Sequence, residues 1–343
     1  MKIIIIALCV FLFTIISCAT FEQDAQTLQS PDYSELVWPS TPQKPRVRYI
    51  SSILNSNDIG IKKTWVGKAM DSLLGREELE ETMLRPYGVA GSSKKLYVTD
   101  PGLSLIHTFD LEKKKYTRIS VAGRDEFISP LGIAIDINGE IYVTDSILKR
   151  IFVFNDSGTL LRKIGSDELF IRPTGIAVDE NRIYVVDTLR HQVLVFLKQD
   201  GTLLFQFGQN GTKNGDFNYP THIFISSDKR IHVTDSLNFR VQIFDINGKF
   251  LTSFGRLGDA LGDFSKPKGI AVDSEDHIYV VDSQFDNIQI FDKAGKLLLV
   301  VGGTGRGPGK MSLPSGIFID EQDRIYVADS YNKRIQIFQY LKE

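Results

Sequence analysis

The chain has 343 residues, with 40 Lys and Arg against 42 Asp and Glu, a formal charge of −2, 42% hydrophobic residues and two cysteines. That hydrophobic content belongs to a folded chain and excludes long-range disorder, and a near-zero net charge speaks against a protein whose main task is gripping a nucleic-acid backbone. Two cysteines can neither staple a scaffold of this size nor build a four-cysteine zinc site.

Lys2 is followed by an apolar run, Ile3 to Ile16. As a helix it spans only about 21 Å, short of the roughly 30 Å of a membrane core. Residues 1–17 therefore read as a signal peptide. The run ends Ile15-Ile16-Ser17-Cys18, which resembles the bacterial lipobox. That resemblance implies lipidation of Cys18 and cleavage after Ser17, leaving the chain anchored on a membrane without spanning it. It implies a lipid-anchored, extracytoplasmic place in a bacterial cell envelope. Ala19 is not the aspartate that typically holds such proteins at the inner membrane, so in a Gram-negative source an outer-membrane protein facing the periplasm is expected. The alternative is an ordinary secretory signal with an incidental cysteine.

Residues 18–45, with Pro31, Pro39, Pro42 and Pro45 and few aliphatics, read as a lipidated flexible tether. The alternating stretch Arg46-Val47-Arg48-Tyr49-Ile50 predicts a strand, taken as 46–54. Residues 61–75 predict a short helix, with Trp65, Val66, Ala69, Met70, Leu73 and Leu74 on one face and Gly75 as its stop. Lys62, Lys63 and Lys68 leave open whether that face meets the domain or a membrane surface.

From Pro86 onward the chain repeats one phrase six times, beginning at Pro86, Pro130, Pro173, Pro220, Pro267 and Pro314, at spacings of 44, 43, 47, 47 and 47 residues. Each copy carries an apolar run, a polar turn, an alternating run ending in Asp, a loop and a third apolar run, and copies two to five add a Gly-containing turn before a last strand. A period of about 40–50 residues with four strands and no helical pattern is that of a β-propeller. The sixth copy stops after its third strand, and the orphan strand at 46–54 can supply the fourth, leaving no open edge. The fold predicted is all-β: a six-bladed β-propeller of four-stranded antiparallel blades over residues 46–343, closed by an N-terminal strand.

The phrase P-x-G-I-A-V-D, I-Y-V-T-D-S and R-I-Q-V-F is similar to the NHL repeat, over roughly 258 residues from Pro86. The resemblance implies the propeller but not a function, since NHL proteins include RNA-binding regulators, a peptide-amidating lyase and bacterial envelope proteins.

Asp100, Asp145, Asp187, Asp235, Asp282 and Asp329 hold one equivalent position in all six copies. Such symmetry predicts caps for the following loops, with Arg150, Arg240 and Arg334 five residues on as partners, and no metal ring. Departures from the repeat point instead to blade 4. His222 replaces a glycine present in the other five copies, and His232 replaces a tyrosine. His232 is expected in the core, its smaller volume offset by Phe224. His222 is expected at the channel mouth, where Arg190, His191 and Lys268 are predicted to approach it as a ligand-binding group. The phrase around His191 looks like the segment supplying one zinc ligand in the peptide-amidating lyase. The positions of that enzyme's other ligands hold Tyr87, Leu131, Thr174, Thr221, Lys268 and Ser315 here, none of them histidine. The Gly302–Lys310 run has Thr304 and Met311 where a phosphate loop needs Gly and Ser or Thr. No nucleophile motif is present. The chain is therefore expected to be an envelope binding or scaffold module with no cofactor, metal or catalytic residue, partnered by a protein, peptide or glycan and not by nucleic acid. A metal-dependent lyase or hydrolase near His222 is the alternative.

Overall fold

A computed structural model of the protein describes residues 33, 35–61 and 82–342. The signal segment, Cys18, the tether as far as residue 32 and the expected helix beyond Ile61 lie outside the described residues. The first strands are β1 (Val37–Trp38) and β2 (Val47–Ile53). Blade 1 follows as β3 (Val89–Gly91), β4 (Lys95–Asp100), β5 (Leu105–Asp110) and β6 (Lys115–Ile119), then a small hairpin of β7 (Val121–Ala122) and β8 (Asp125–Glu126). Blade 2 is β9 (Pro130–Ile135), β10 (Ile141–Asp145), β11 (Arg150–Phe154) and β12 (Leu160–Ile164), and blade 3 is β13 (Pro173–Val178), β14 (Arg182–Asp187), β15 (Gln192–Leu197) and β16 (Leu203–Phe207). Blade 4 is β17 (Pro220–Ile225), β18 (Ile231–Asp235), β19 (Arg240–Phe244) and β20 (Phe250–Phe254). Blade 5 is β21 (Pro267–Val272), β22 (Ile278–Asp282), β23 (Asn287–Phe291) and β24 (Leu297–Gly302), and blade 6 opens with β25 (Ile317–Ile319), β26 (Arg324–Asp329) and β27 (Arg334–Tyr340).

The innermost strands contact one another in a closed ring, with β25 returning to β3. Blade 6 is completed by β2, which pairs antiparallel with β27 from Val47 opposite Tyr340 to Ile53 opposite Ile335. The N-terminal clasp thus forms as expected. It also extends one strand further than the sequence suggested. Val37 and Trp38, placed in the tether by their proline neighbours, form β1 on the edge of β2, and Trp38 packs edge-on to Phe338 at 5.7 Å.

Each hydrophobic core lies between neighbouring blades rather than within one. One cluster joins Ala90, Tyr97 and Ile106 of blade 1 to Ile133, Ile141, Val143 and Phe152 of blade 2. Three residues before each repeat-starting proline, a large apolar side chain closes the seam: Met83, Phe127, Phe170, Phe217, Phe264 and Met311, all buried. Gly208 takes φ +90°, and a Cβ there would lie 2.4 Å from the Phe217 ring, so the turn needs glycine both for its dihedral and for the room.

The six equivalent aspartates are all fully buried. Asp145 accepts N–H groups from Ile128 and Ser129 on one side and from Ile147 and Leu148 on the other. The carboxylate ties the strand-joining segment to the loop after the second strand. Asp235 and Asp329 also take Arg240 and Arg334 at 2.9 and 2.8 Å, as expected. Arg150 differs: it pairs with Asp167 at 2.9 Å instead, leaving Asp145 on backbone donors. In blade 1, His107 lies 3.3 Å from Asp100. Asp145→Ala orphans four N–H groups at once, and we expect it to cost about 3 kcal/mol or more. Urea-unfolding midpoints of the variant and the wild type check this, and coincident curves would contradict the capping role.

Candidate functional site

The propeller face that carries the strand-joining segments and the loops after the second strands also carries the channel mouth. Blades approach each other closest there. In five copies the second residue after the proline is glycine, and its missing Cβ is what admits the next blade's carbonyl. A Cβ at Gly132 would lie 2.1 Å from the Thr174 oxygen, and one at Gly88 would lie 2.4 Å from that of Leu131. Position 222 breaks this rule and puts an imidazole where the other five copies have none, while the inner strands β17 and β21 of blades 4 and 5 stay in contact.

The hydrogen bonds around His222 determine its protonation. Ser236 Oγ donates to the Pro267 carbonyl at 2.7 Å, so the 2.7 Å contact between Thr221 Oγ1 and Ser236 Oγ must use the Thr221 proton. Thr221 can then only accept from His222 Nδ1, 3.1 Å away. The ring is the Nδ1–H tautomer, and Nε2 is a lone pair, shielded from bulk water and without a hydrogen-bond partner. Tyr87 stacks on the imidazole with ring centres 5.5 Å apart, and Lys268 Nζ lies 5.7 Å from the centre of the Tyr87 ring. Burial, with Lys268 nearby, lowers the His222 pKa to about 3. Burial, with Lys266 and Arg85, lowers Lys268 to about 8, and burial raises Tyr87 to about 12 against an opposing pull from Arg172. The mouth therefore presents a neutral acceptor, a neutral phenol and an ammonium with no ion pair among the described residues. Behind it, a channel cavity of about 180 Å³ is lined by the first strands of the blades, with Ile133, Ile176 and Phe224 among its walls.

Of the four residues expected to converge, the structure brings together His222 and Lys268. Arg190 and His191 are held elsewhere by blade loops. His191 adopts φ 57°, accepts the Tyr219 N–H on Nδ1 at 3.1 Å and lies 3.0 Å from the Asn210 carboxamide through Nε2. Arg190 donates to the Glu168 carbonyl and lies 3.6 Å from Asp187. His232 is a core residue, but its partner is Ser226 at 3.2 Å. In blades 3, 5 and 6 the equivalent pair is a tyrosine and an aspartate, as in Tyr279 with Asp273. The histidine stands opposite Phe224, as expected from its smaller volume, and its turn partner is a serine instead of an aspartate. Among the described residues no group of three or more His, Cys, Asp or Glu is arranged to hold a metal ion.

Sequence reasoning passed over Tyr87 and over an apolar ring on the same face. Just after the buried carboxylates stand Leu103, Ile147, Leu189, Leu237 and Tyr331, all exposed, Tyr331 at 68%. One or two residues before the prolines stand Leu84, Ile128, Ile171, Tyr219 and Leu313, also exposed. Blade 5 interrupts the ring, carrying Ser265, Lys266 and Gln284 at the matching positions. Aligned on the prolines and aspartates, the repeats show the pattern at these loop positions.

These features define the class: the chain is a six-bladed β-propeller of NHL-type repeats. A family model described as "6-bladed beta-propeller" matches residues 226–288 and 273–341, and the NHL repeat model matches residues 170–196. Among solved structures, virginiamycin B lyase from Staphylococcus aureus is similar with a TM-score of 0.58 at 16% identity, covering 86% of this chain and 100% of that one. An auxiliary nutrient binding protein from Bacteroides ovatus is similar with a TM-score of 0.58 at 13% identity, over 76% and 70% of the two chains. A gluconolactonase from Xanthomonas campestris gives 0.57 at 16%, over 76% and 87%. At these identities the likeness carries the fold alone.

Both blade-4 histidines are held neutral in the fold, at about 3 for His222 and about 4 for His232, where burial is again the leading cause. An unfolded chain takes up protons on them below about pH 6.5. The stability they contribute is therefore full above that pH and is lost as the pH falls toward 4. We expect His222→Gly with His232→Tyr, which restores the residues of the other five blades, to flatten the fall in urea midpoint between pH 7 and 5. Equal slopes for variant and wild type would contradict the assignment.

Proposed function

We propose that the protein is a lipid-anchored, extracytoplasmic binding or scaffold propeller that holds a protein, peptide or glycan on the face around its channel mouth. The observation that carries this reading is the ring of ten exposed apolar side chains around a mouth whose ammonium, phenol and imidazole lone pair lack polar partners. A contiguous apolar surface rimmed by polar groups is the usual mark of an interaction site. The fold is one that an auxiliary nutrient binding protein also uses. The chemistry of His222 favours binding over proton transfer, because an imidazole with a pKa of about 3 is a weak base at neutral pH. The anchor rests on Cys18 after the apolar run.

Two experiments test the two halves. Metabolic palmitate labelling should mark the wild type and not Cys18→Ala, and equal labelling would remove the anchor. Photo-crosslinking in the native envelope should join the wild type to a partner that the Ile147→Ser, Leu237→Ser, Tyr331→Ser triple variant loses, with unchanged thermal midpoints for all chains. The same crosslinks in both would place binding on another surface.

A further inference from the structure

Resting on that reading, we infer that the channel mouth receives the free C-terminal carboxylate of an apolar polypeptide segment, with Lys268 and Tyr87 taking the carboxylate and His222 accepting the N–H of the last residue.

The ligand's charge follows from what surrounds Lys268. Lys266, exposed, and Arg85, exposed, are the charged groups that act on it, and exposed Arg172 acts on the adjoining Tyr87. Lys268 makes no salt bridge among the described residues, although many lysines on other parts of the surface do. Four cations of one sign around a half-buried mouth repel one another unless an anion enters. Tyr87, neutral at physiological pH, adds a hydroxyl that can donate to that anion.

The second requirement comes from His222. Its Nδ1 proton is spent on the Thr221–Ser236–Pro267 relay. Nε2 can therefore only accept, and a bare anion cannot satisfy it. The ligand must place an X–H group close to its negative charge. A peptide C-terminus does so in every sequence, since one carbon separates the last carboxylate from the last amide N–H. Capture of a terminal carboxylate is also an established way of recognising peptides.

The body of the ligand follows from the ring. An acidic sugar would also offer a hydroxyl beside a carboxylate, but the exposed side chains on this face are mainly leucine and isoleucine, which suit peptide side chains better than sugar hydroxyls. The ring is interrupted at blade 5, by Ser265, Lys266 and Gln284, in the blade that supplies Lys268. Lys266 and Lys268 thus stand in the gap of the apolar ring, while Arg85 and Arg172 adjoin its members Leu84 and Ile171, so an anionic end and an apolar stem both find partners on this face.

The test uses the full-length protein in detergent and a fluorescein-labelled octapeptide ending in Leu-Val-Leu, read by fluorescence anisotropy. The free acid should bind, and capping it as the amide or methylating its last backbone nitrogen should weaken binding by about ten- to hundredfold. Lys268→Thr and His222→Gly place at each site a residue that other blades carry there, and both should fold as the wild type does. Lys268→Thr should remove the preference for acid over amide, while His222→Gly should remove the penalty for N-methylation. Affinity for the free acid should also fall as pH rises through about 8, where Lys268 loses its charge. Equal binding of acid and amide, lost in the triple ring variant, would overturn the carboxylate site while leaving the binding face intact. Lys268-dependent binding of an oligouronate in place of the peptide would overturn the peptide assignment. Absence of binding by every probe would overturn it too.

Discussion

The buried carboxylate at the end of each second strand is the interaction on which the upper face of this propeller depends. Removing a charge from water is costly unless it is hydrogen-bonded. Here the compensation comes mostly from the backbone. Asp145 and Asp282 take only main-chain donors, whereas Asp235 and Asp329 add an arginine. In those last two, burial still leaves the carboxyl with a raised pKa. In Asp100, burial is outweighed by the hydrogen bonds of His107, Leu84 and Arg85, and the pKa is lowered. Because each carboxylate binds a strand-joining segment and a loop together, it also fixes which side chains face outward. The N–H groups of Ile128 and Ile147 meet on Asp145, so their exposed side chains stand side by side. A structural device repeated in all six blades thereby presents the exposed apolar pairs of five of them.

In blades 3, 4 and 6 the hydroxyl beside the carboxylate carries the same logic between blades. Thr188, Ser236 and Ser330 donate to the carbonyls of Pro220, Pro267 and Pro86, each at 2.7 Å, the last crossing from blade 6 to blade 1. Closure is thus made twice: by β2 at the outer edge and by this hydroxyl at the inner one.

Much of this was legible in the sequence because it repeats. Six copies in phase revealed the propeller, the missing fourth strand of the last copy revealed the clasp, and the invariant position of the aspartates revealed their capping role. What escaped was what does not repeat or does not lie in a strand. Trp38 was hidden among prolines, since a two-residue edge strand held by one pair and an aromatic contact leaves no periodic trace. Arg150 occupies the same position as Arg240, yet Asp167 sits within reach and takes it. His191 looked available because its neighbours in space, Tyr219 and Asn210, lie in the next joining segment, and only the folded chain shows both of its ring nitrogens engaged.

His222 is where these two kinds of information meet. The five glycines at its position are demanded by backbone approach, so a sixth residue with a Cβ marks the one copy that places a side chain at this point of the ring. The sequence identified the departure, but its consequence depends on a relay of three hydroxyl and imidazole protons that no spacing rule encodes. That relay holds the imidazole neutral with its Nε2 lone pair unpartnered, near a lysine that makes no salt bridge among the described residues. A stable core would have paired that lysine or removed it. An acceptor without a donor and a cation without an anion, in contact with one tyrosine, are costs to the folded state that a ligand carrying both complements would relieve. The asymmetry of blade 4 and blade 5 is therefore better explained by what enters the mouth than by what holds the propeller together.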